Sequence, residues 1–238
     1  MEYGLQLFSV RDIAEKNLAV ALKKTVELGY SSVEFASFYG YSAEDIAMLL
    51  KENGLKISGT HSPFCDLCDR YESTVAYNKA IGNKNYIIPS IDLSDQEKLD
   101  FFVEKVNEIQ PKLAADGITL SYHNHNFEFL PNKDGSQIFD QLLYRTKINF
   151  ELDTYWAFVA LGDPLPVIDR IGDRLLFIHL RDGLSNGDGR PLGEGEAPVA
   201  EVYNKARCLD IPMIVENQHC IPDGITQAKI CINYLKNL

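Results

Sequence analysis

The 238-residue sequence predicts an α/β fold, a (β/α)8 TIM barrel forming a single domain over residues 1–238. Three observations predict it. Short apolar or β-branched runs alternate with longer amphipathic stretches eight times, at roughly 30 residues per unit. The short runs are continuously apolar, as buried parallel strands are. No long linker or low-complexity segment divides the chain, and the first turn, Phe8-Ser9-Val10-Arg11, lacks the glycines that a doubly wound open sheet would carry there.

The elements follow in order. A first strand over 3–8 precedes a helical pattern over 11–28, and a second strand over 33–36 precedes a helix over 42–52. The third strand, 55–60, leads to a helix over 71–81. The fourth, 86–89, leads to a helix ending near 113, which Ser94 opens as cap with Glu97 three residues on. Strand five covers 118–123 and precedes a helix over 137–144. Strand six covers 148–152, and a short helix over 167–171 is begun by Asp163-Pro164. Strand seven, 175–180, precedes a helix over 199–207. Strand eight, 213–215, precedes the last helix, 225–235. Gly29, Gly54 and Gly117 stand where helices must stop before the chain re-enters the sheet. The glycine-rich stretch 183–195 reads as an active-site loop, because functional loops in this fold follow the strands.

Composition narrows the partners. Asp plus Glu number 34 against 23 Lys plus Arg, a net charge of −11. Such a surface repels phosphate backbones and anionic lipid, so neither nucleic acid nor membrane is expected. No apolar run approaches the length of a spanning helix, and the N-terminus lacks a secretory pattern, so a cytoplasmic location is expected. Cys65 and Cys68 form a CxxC without the second pair that a zinc ribbon needs, and read as reduced thiols in a loop. Apolar positions on the outer helices permit a homo-oligomer.

Polar residues collect towards the predicted strand ends: Glu34 in strand two, His61 after strand three, His123 ending strand five with His125 and Glu128 after it, Asp153 after six, His179 in seven and Glu216 after eight. Barrel geometry sends all these ends to one face. Singly, each has a plainer role: Asp153 before Thr154 suits a helix cap, His179 in LLFIHL a satisfied core histidine, His219 a solvated loop. Together, Glu128, Asp153, His179 and Glu216 offer three carboxylates and one imidazole, a ligand set for one divalent ion, whether Mn2+, Mg2+, Co2+ or Zn2+. Without a cation, three such carboxylates would repel one another. Phe8, Phe35, Tyr155 and Trp156 also fall at strand ends, where aromatic rings can stack on a sugar.

From GLQLFSVRD onward, through GYSSVEFA, SGTHS, SYHNHNFEF, FELDTYWA, FIHLRDG and PLGEGE, the chain resembles the xylose-isomerase-like barrel superfamily, in its sugar phosphate isomerase/epimerase branch. The resemblance implies a metal held by Glu128, Asp153, His179 and Glu216, with substrate contacts from His123, Arg181, Glu34, His61 and His125. In the ketose 3-epimerases of that superfamily the first glutamate ligand lies within strand five, whereas here that stretch reads Leu120-Ser121-Tyr122. The DNA-repair endonucleases of the superfamily use a basic face, which the acidic balance argues against.

The chemistry expected is proton abstraction beside the carbonyl of a keto-sugar, sugar phosphate or inositol-like ketone, with Glu128 and Glu216 as the acid–base pair. Returning the proton to the other face gives an epimerase, and returning it to the adjacent carbon gives an isomerase. Loss of a β-hydroxyl gives a lyase or dehydratase. A hydrolase on the same site and a non-catalytic sugar-binding barrel are the other readings. Arg181 and the backbone of 192–195 are expected to hold hydroxyls or a phosphate.

Overall fold

A computed structural model describes residues 2–132 and 135–238. Eight parallel strands close into a barrel: β1 Gly4–Gln6, β2 Ser32–Phe35, β3 Lys56–His61, β4 Asn85–Ile88, β5 Thr119–His123, β6 Asn149–Asp153, β7 Leu175–Leu180 and β8 Met213–Val215. Each strand pairs with the next, and β8 closes on β1 through Gly4↔Ile214 and Leu5↔Val215. All eight predicted strands are present, and helices follow them, so the architecture is the (β/α)8 barrel.

The apolar core lies mainly outside the barrel wall. Val33, Phe35, Tyr86, Ile88, Leu120, Tyr122, Phe150, Leu152, Ile178 and Leu180 are buried there against the helices. Alternation along each strand turns the intervening residues inward. In β6, Phe150 and Leu152 join the outer core, while Glu151 and Asp153 meet the lumen. Lower in the lumen, Ile214 and Ile87 reach the backbone of Gly4 and Gly59, whose missing side chains make room for them.

Several elements differ from the sequence reading. The helix over 11–28 is two helices, Arg11–Ala14 and Leu18–Leu28, the second capped by the Asn17 side chain. Asp95, not Ser94, caps the helix Gln96–Ala115, accepting from the Lys98 amide, while Ser94 bonds Asp92. Thr154–Leu161 forms a helix directly after β6, where no element is expected. Cys65 and Cys68 lie as free thiols on a helix, Phe64–Asp69, rather than in a loop. The glycine-rich stretch contains a small antiparallel ribbon, Asp182–Gly183 with Gly189–Arg190. Among the described residues, no helix is long and apolar enough to cross a membrane.

Candidate active site

Seven strands deliver polar side chains to the C-terminal mouth. The registers Gln6↔Glu34, His123↔Glu151 and Asp153↔His179 set neighbouring inward residues side by side. The donor atoms of His123, Asp153, His179 and Glu216 lie within 4.8 Å of one another, and those of His61, His123, Glu151 and His179 form a second such group. The first group comes from four consecutive strands, β5 to β8, and is buried throughout.

Asp153 has two tasks. Its Oδ1 accepts from the Trp156 amide at 2.9 Å, capping the helix 154–161, and its Oδ2 accepts from Arg181 Nη1 at 3.0 Å. Asn124 locks it in place, accepting from the Asp153 amide and donating to its carbonyl. Burial raises the Asp153 pKa against the pull of Arg181. Glu216 Oε2 lies 2.9 Å from His179 Nδ1, and Glu216 Oε1 lies 3.6 Å from Arg181. Burial works against its ionisation, yet Arg181 and His179 hold its pKa down to about 2. Glu216 is therefore a carboxylate at neutral pH.

On the opposite wall, Glu34 accepts from Gln6 Nε2 at 2.6 Å and meets His179 and His61. Despite burial, Glu34 and Glu151 drive the His61 pKa up to about 10. Burial and then the neighbouring His179 and His61 push the His123 pKa well down, which keeps that imidazole neutral and able to ligate.

Glu128 stands outside both groups. It lies in the turn Phe127–Phe129, where its Oε1 accepts from the Tyr122 hydroxyl and its Oε2 from the His125 amide, each at 2.8 Å. Burial lifts its pKa to about 7. The structure thus brings Asp153, His179 and Glu216 together as expected, but His123, at the end of β5, occupies the place expected of Glu128. Glu151 joins the mouth although the sequence reading passes over it; period-two alternation back from Asp153 places it on the same inward face.

At the rim, the Trp156 ring lies 5.1 Å from the Arg181 guanidinium and 5.9 Å from the His125 ring. His125 Nδ1 and Trp156 Nε1 are buried and have no hydrogen-bond partner. Phe35 and Tyr155 are fully buried packing residues and do not offer a face to a sugar, whereas Phe8 is partly exposed at the rim, stacked on Arg11. His219 pairs with Asp188. The amides of Gly193, Gly195 and Ala197 are turned onto the Asp182 carboxylate, so the 192–195 backbone expected to hold a ligand is already engaged in fastening its own loop.

The donor set fits a divalent ion. Of four buried carboxylates, Asp153 and Glu216 share one guanidinium, Arg181, while Glu34 and Glu151 meet the imidazoles of His61 and His179. Buried carboxylates so close together are stabilised by positive charge, which a divalent ion or protonated imidazoles can supply.

A family described as xylose isomerase-like TIM barrel matches residues 22–230. No curated protein matches the chain by sequence. Among solved structures, a sugar phosphate isomerase/epimerase from Parabacteroides distasonis is 24% identical, with a TM-score of 0.85, covering 100% of this chain and 98% of that one. The probable 3-DHS dehydratase of petrobactin synthesis from Bacillus anthracis is 16% identical, with a TM-score of 0.79 and coverage of 100% and 99%. An L-ribulose 3-epimerase is 14% identical, with a TM-score of 0.77 and coverage of 100% and 94%. With a closed eight-stranded barrel and a family match over most of its length, the chain belongs to the xylose isomerase-like TIM barrel family.

Proposed function

We propose that the protein is a divalent-metal-dependent isomerase or epimerase of a small keto-sugar, sugar phosphate or related polyhydroxylated ketone. The observation that carries this is the convergence of His123, Asp153, His179 and Glu216 from four consecutive strands at the barrel mouth. These four would hold the ion, in place of the set containing Glu128. A divalent ion bound there supplies Lewis acidity to a carbonyl oxygen and so acidifies the neighbouring C–H.

The remaining work falls to the chain's own side chains. Glu216, ionised and slightly open to solvent, is the group placed to take the proton. Arg181, held between Asp153 and Glu216, presents positive charge to the substrate's oxygens. His125 Nδ1 and Trp156 Nε1, both unpartnered, suit sugar hydroxyls, and the Trp156 face suits a sugar's C–H surface. Glu34 and His61 form the far wall, and Glu128 fixes the turn that carries His125.

The test is hydrogen exchange. Keto-sugars and their phosphates are incubated with the protein and Mn2+ in D2O, and deuterium beside the carbonyl is read by NMR. Exchange is expected in the wild type, lost with chelator and in Asp153→Asn, and slowed about 10²–10⁴-fold in Glu216→Gln. Undiminished exchange in Glu216→Gln removes it as the base. Release of water with an enone product would make the enzyme a dehydratase instead.

A further inference from the structure

Below the proposed ion seat lies a second convergence of donors, which shares only His179 with that seat. Glu34 of β2, His61 of β3, Glu151 of β6 and His179 of β7 each place one atom in a closed ring. Glu34 Oε1 lies 2.8 Å from His179 Nε2 and 3.0 Å from His61 Nε2. Glu151 Oε2 lies 2.7 Å from His61 Nε2 and 3.1 Å from His179 Nε2. Oxygen and nitrogen alternate around the ring.

Protons alone fill this ring poorly. Each Nε2 carries at most one hydrogen, so straight hydrogen bonds can span only two of the four edges. One central cation reaches all four atoms. Ligands about 2.0–2.2 Å from an ion stand about 2.8–3.1 Å apart at right angles and about 3.3–3.6 Å apart at tetrahedral angles, so the 2.7–3.1 Å edges would open by a few tenths of an ångström around a tetrahedral ion. A second observation is independent of the ring distances. Glu34 Oε2 and Glu151 Oε1 are buried without any hydrogen-bond partner, so one oxygen of each carboxylate has no donor. The depth of the ring also matters: Glu34, Glu151 and His179 are fully buried, which denies them water.

We propose that Glu34, His61, Glu151 and His179 form a second divalent-cation seat beneath the first, of a kind that suits Zn2+. Two imidazoles and two carboxylates, three of the four fully buried, are the ligand types of a four-coordinate zinc site. His179 joins the two seats, with Nδ1 facing Glu216 and Nε2 in the ring. An imidazole binds an ion through each nitrogen only after losing its remaining hydrogen, so the second ion to enter displaces one proton to solvent.

The test uses the full-length protein and Zn2+ alone. Crystals grown with Zn2+ are expected to show two anomalous-scattering peaks, one within ligand distance of Glu34, His61, Glu151 and His179. Elemental analysis is expected to give two zinc ions per chain in the wild type and one in Glu34→Gln/Glu151→Gln. An empty ring in wild-type crystals whose upper seat is filled overturns the proposal and leaves the proposed function standing. A filled ring with an empty upper seat does the reverse. The wild-type crystal decides the matter even if the double variant does not fold.

Discussion

Glu128 shows burial setting the behaviour of a carboxyl group. With the Tyr122 hydroxyl and the His125 amide as its hydrogen-bond donors, it keeps its proton up to about pH 7. The folded pKa lies above the unfolded value of about 4.3, so the associated stability is fully present below pH 4.3 and is lost as pH rises through 7. The loss is roughly 3–4 kcal/mol. Glutamine copies the protonated form: its oxygen can accept from the His125 amide, and its NH2 can donate to the Tyr122 oxygen. Glu128→Gln should therefore flatten the dependence of stability on pH between 5 and 8, as read by urea denaturation, and leave Mn2+ affinity within about threefold. An affinity loss of about tenfold or more, the cost of disturbing a site's ligands or their supports, would restore Glu128 to the metal set. At this scale the sequence is legible where a charge ends an apolar run, as Asp153 and Glu216 do. It is less legible at Glu128, because periodicity does not fix where a turn after a strand points, and at Glu151, because that charge stands within the strand, flanked by Phe150 and Leu152.

Gly59 links the wall of the barrel to the site. It sits in β3 opposite Glu34, and a Cβ there would collide with Ile87 Cδ1 and stand 3.2 Å from Glu34 Oε2. The element therefore needs glycine for space rather than for backbone conformation. Gly59→Ala should cost about 1–3 kcal/mol by overpacking the lumen. Ile87→Val removes the clashing methyl, so the double variant should recover much of the loss; urea denaturation of the four proteins gives the coupling. If Ile87→Val costs as much in the Gly59→Ala background as in the wild type, this packing account fails. The strands themselves are legible because their outer faces form unbroken apolar runs between helix stops, such as Gly29 and Gly54, both of which adopt positive φ. The helix Thr154–Leu161 is not, because TYWAFVAL is apolar on nearly every side and shows no helical period; only Asp153, with its side chain on the Trp156 amide, marks its start.

The whole molecule divides its interior into two unlike parts. The apolar layer between strands and helices supplies the burial that holds the barrel closed. The upper lumen is instead filled by Gln6, Glu34, His61, His123, Glu151, Asp153, His179 and Arg181, groups that are costly to bury and gain only from one another. The sequence reveals the first layer through its eightfold alternation. The second layer shows only once strand order and register bring β2 and β3 against β6 and β7, contacts that join residues 90 to 145 positions apart, such as His61 with Glu151 and Glu34 with His179. A cation entering the mouth binds the folded chain alone, because these ligands are scattered when the chain unfolds. Mn2+ or Zn2+ at a hundredfold excess over its dissociation constant should therefore add about 2.7 kcal/mol per filled seat. For a chain of this length that is a rise in Tm of about 5–11 °C per seat. The rise should shrink as the pH falls and protons compete for the imidazoles and carboxylates, and Asp153→Asn should remove the upper seat's share. Differential scanning calorimetry against metal concentration checks both; a Tm that does not respond to either ion would mean that this polar lumen is balanced by its own ion pairs, with Arg181 as its resident cation.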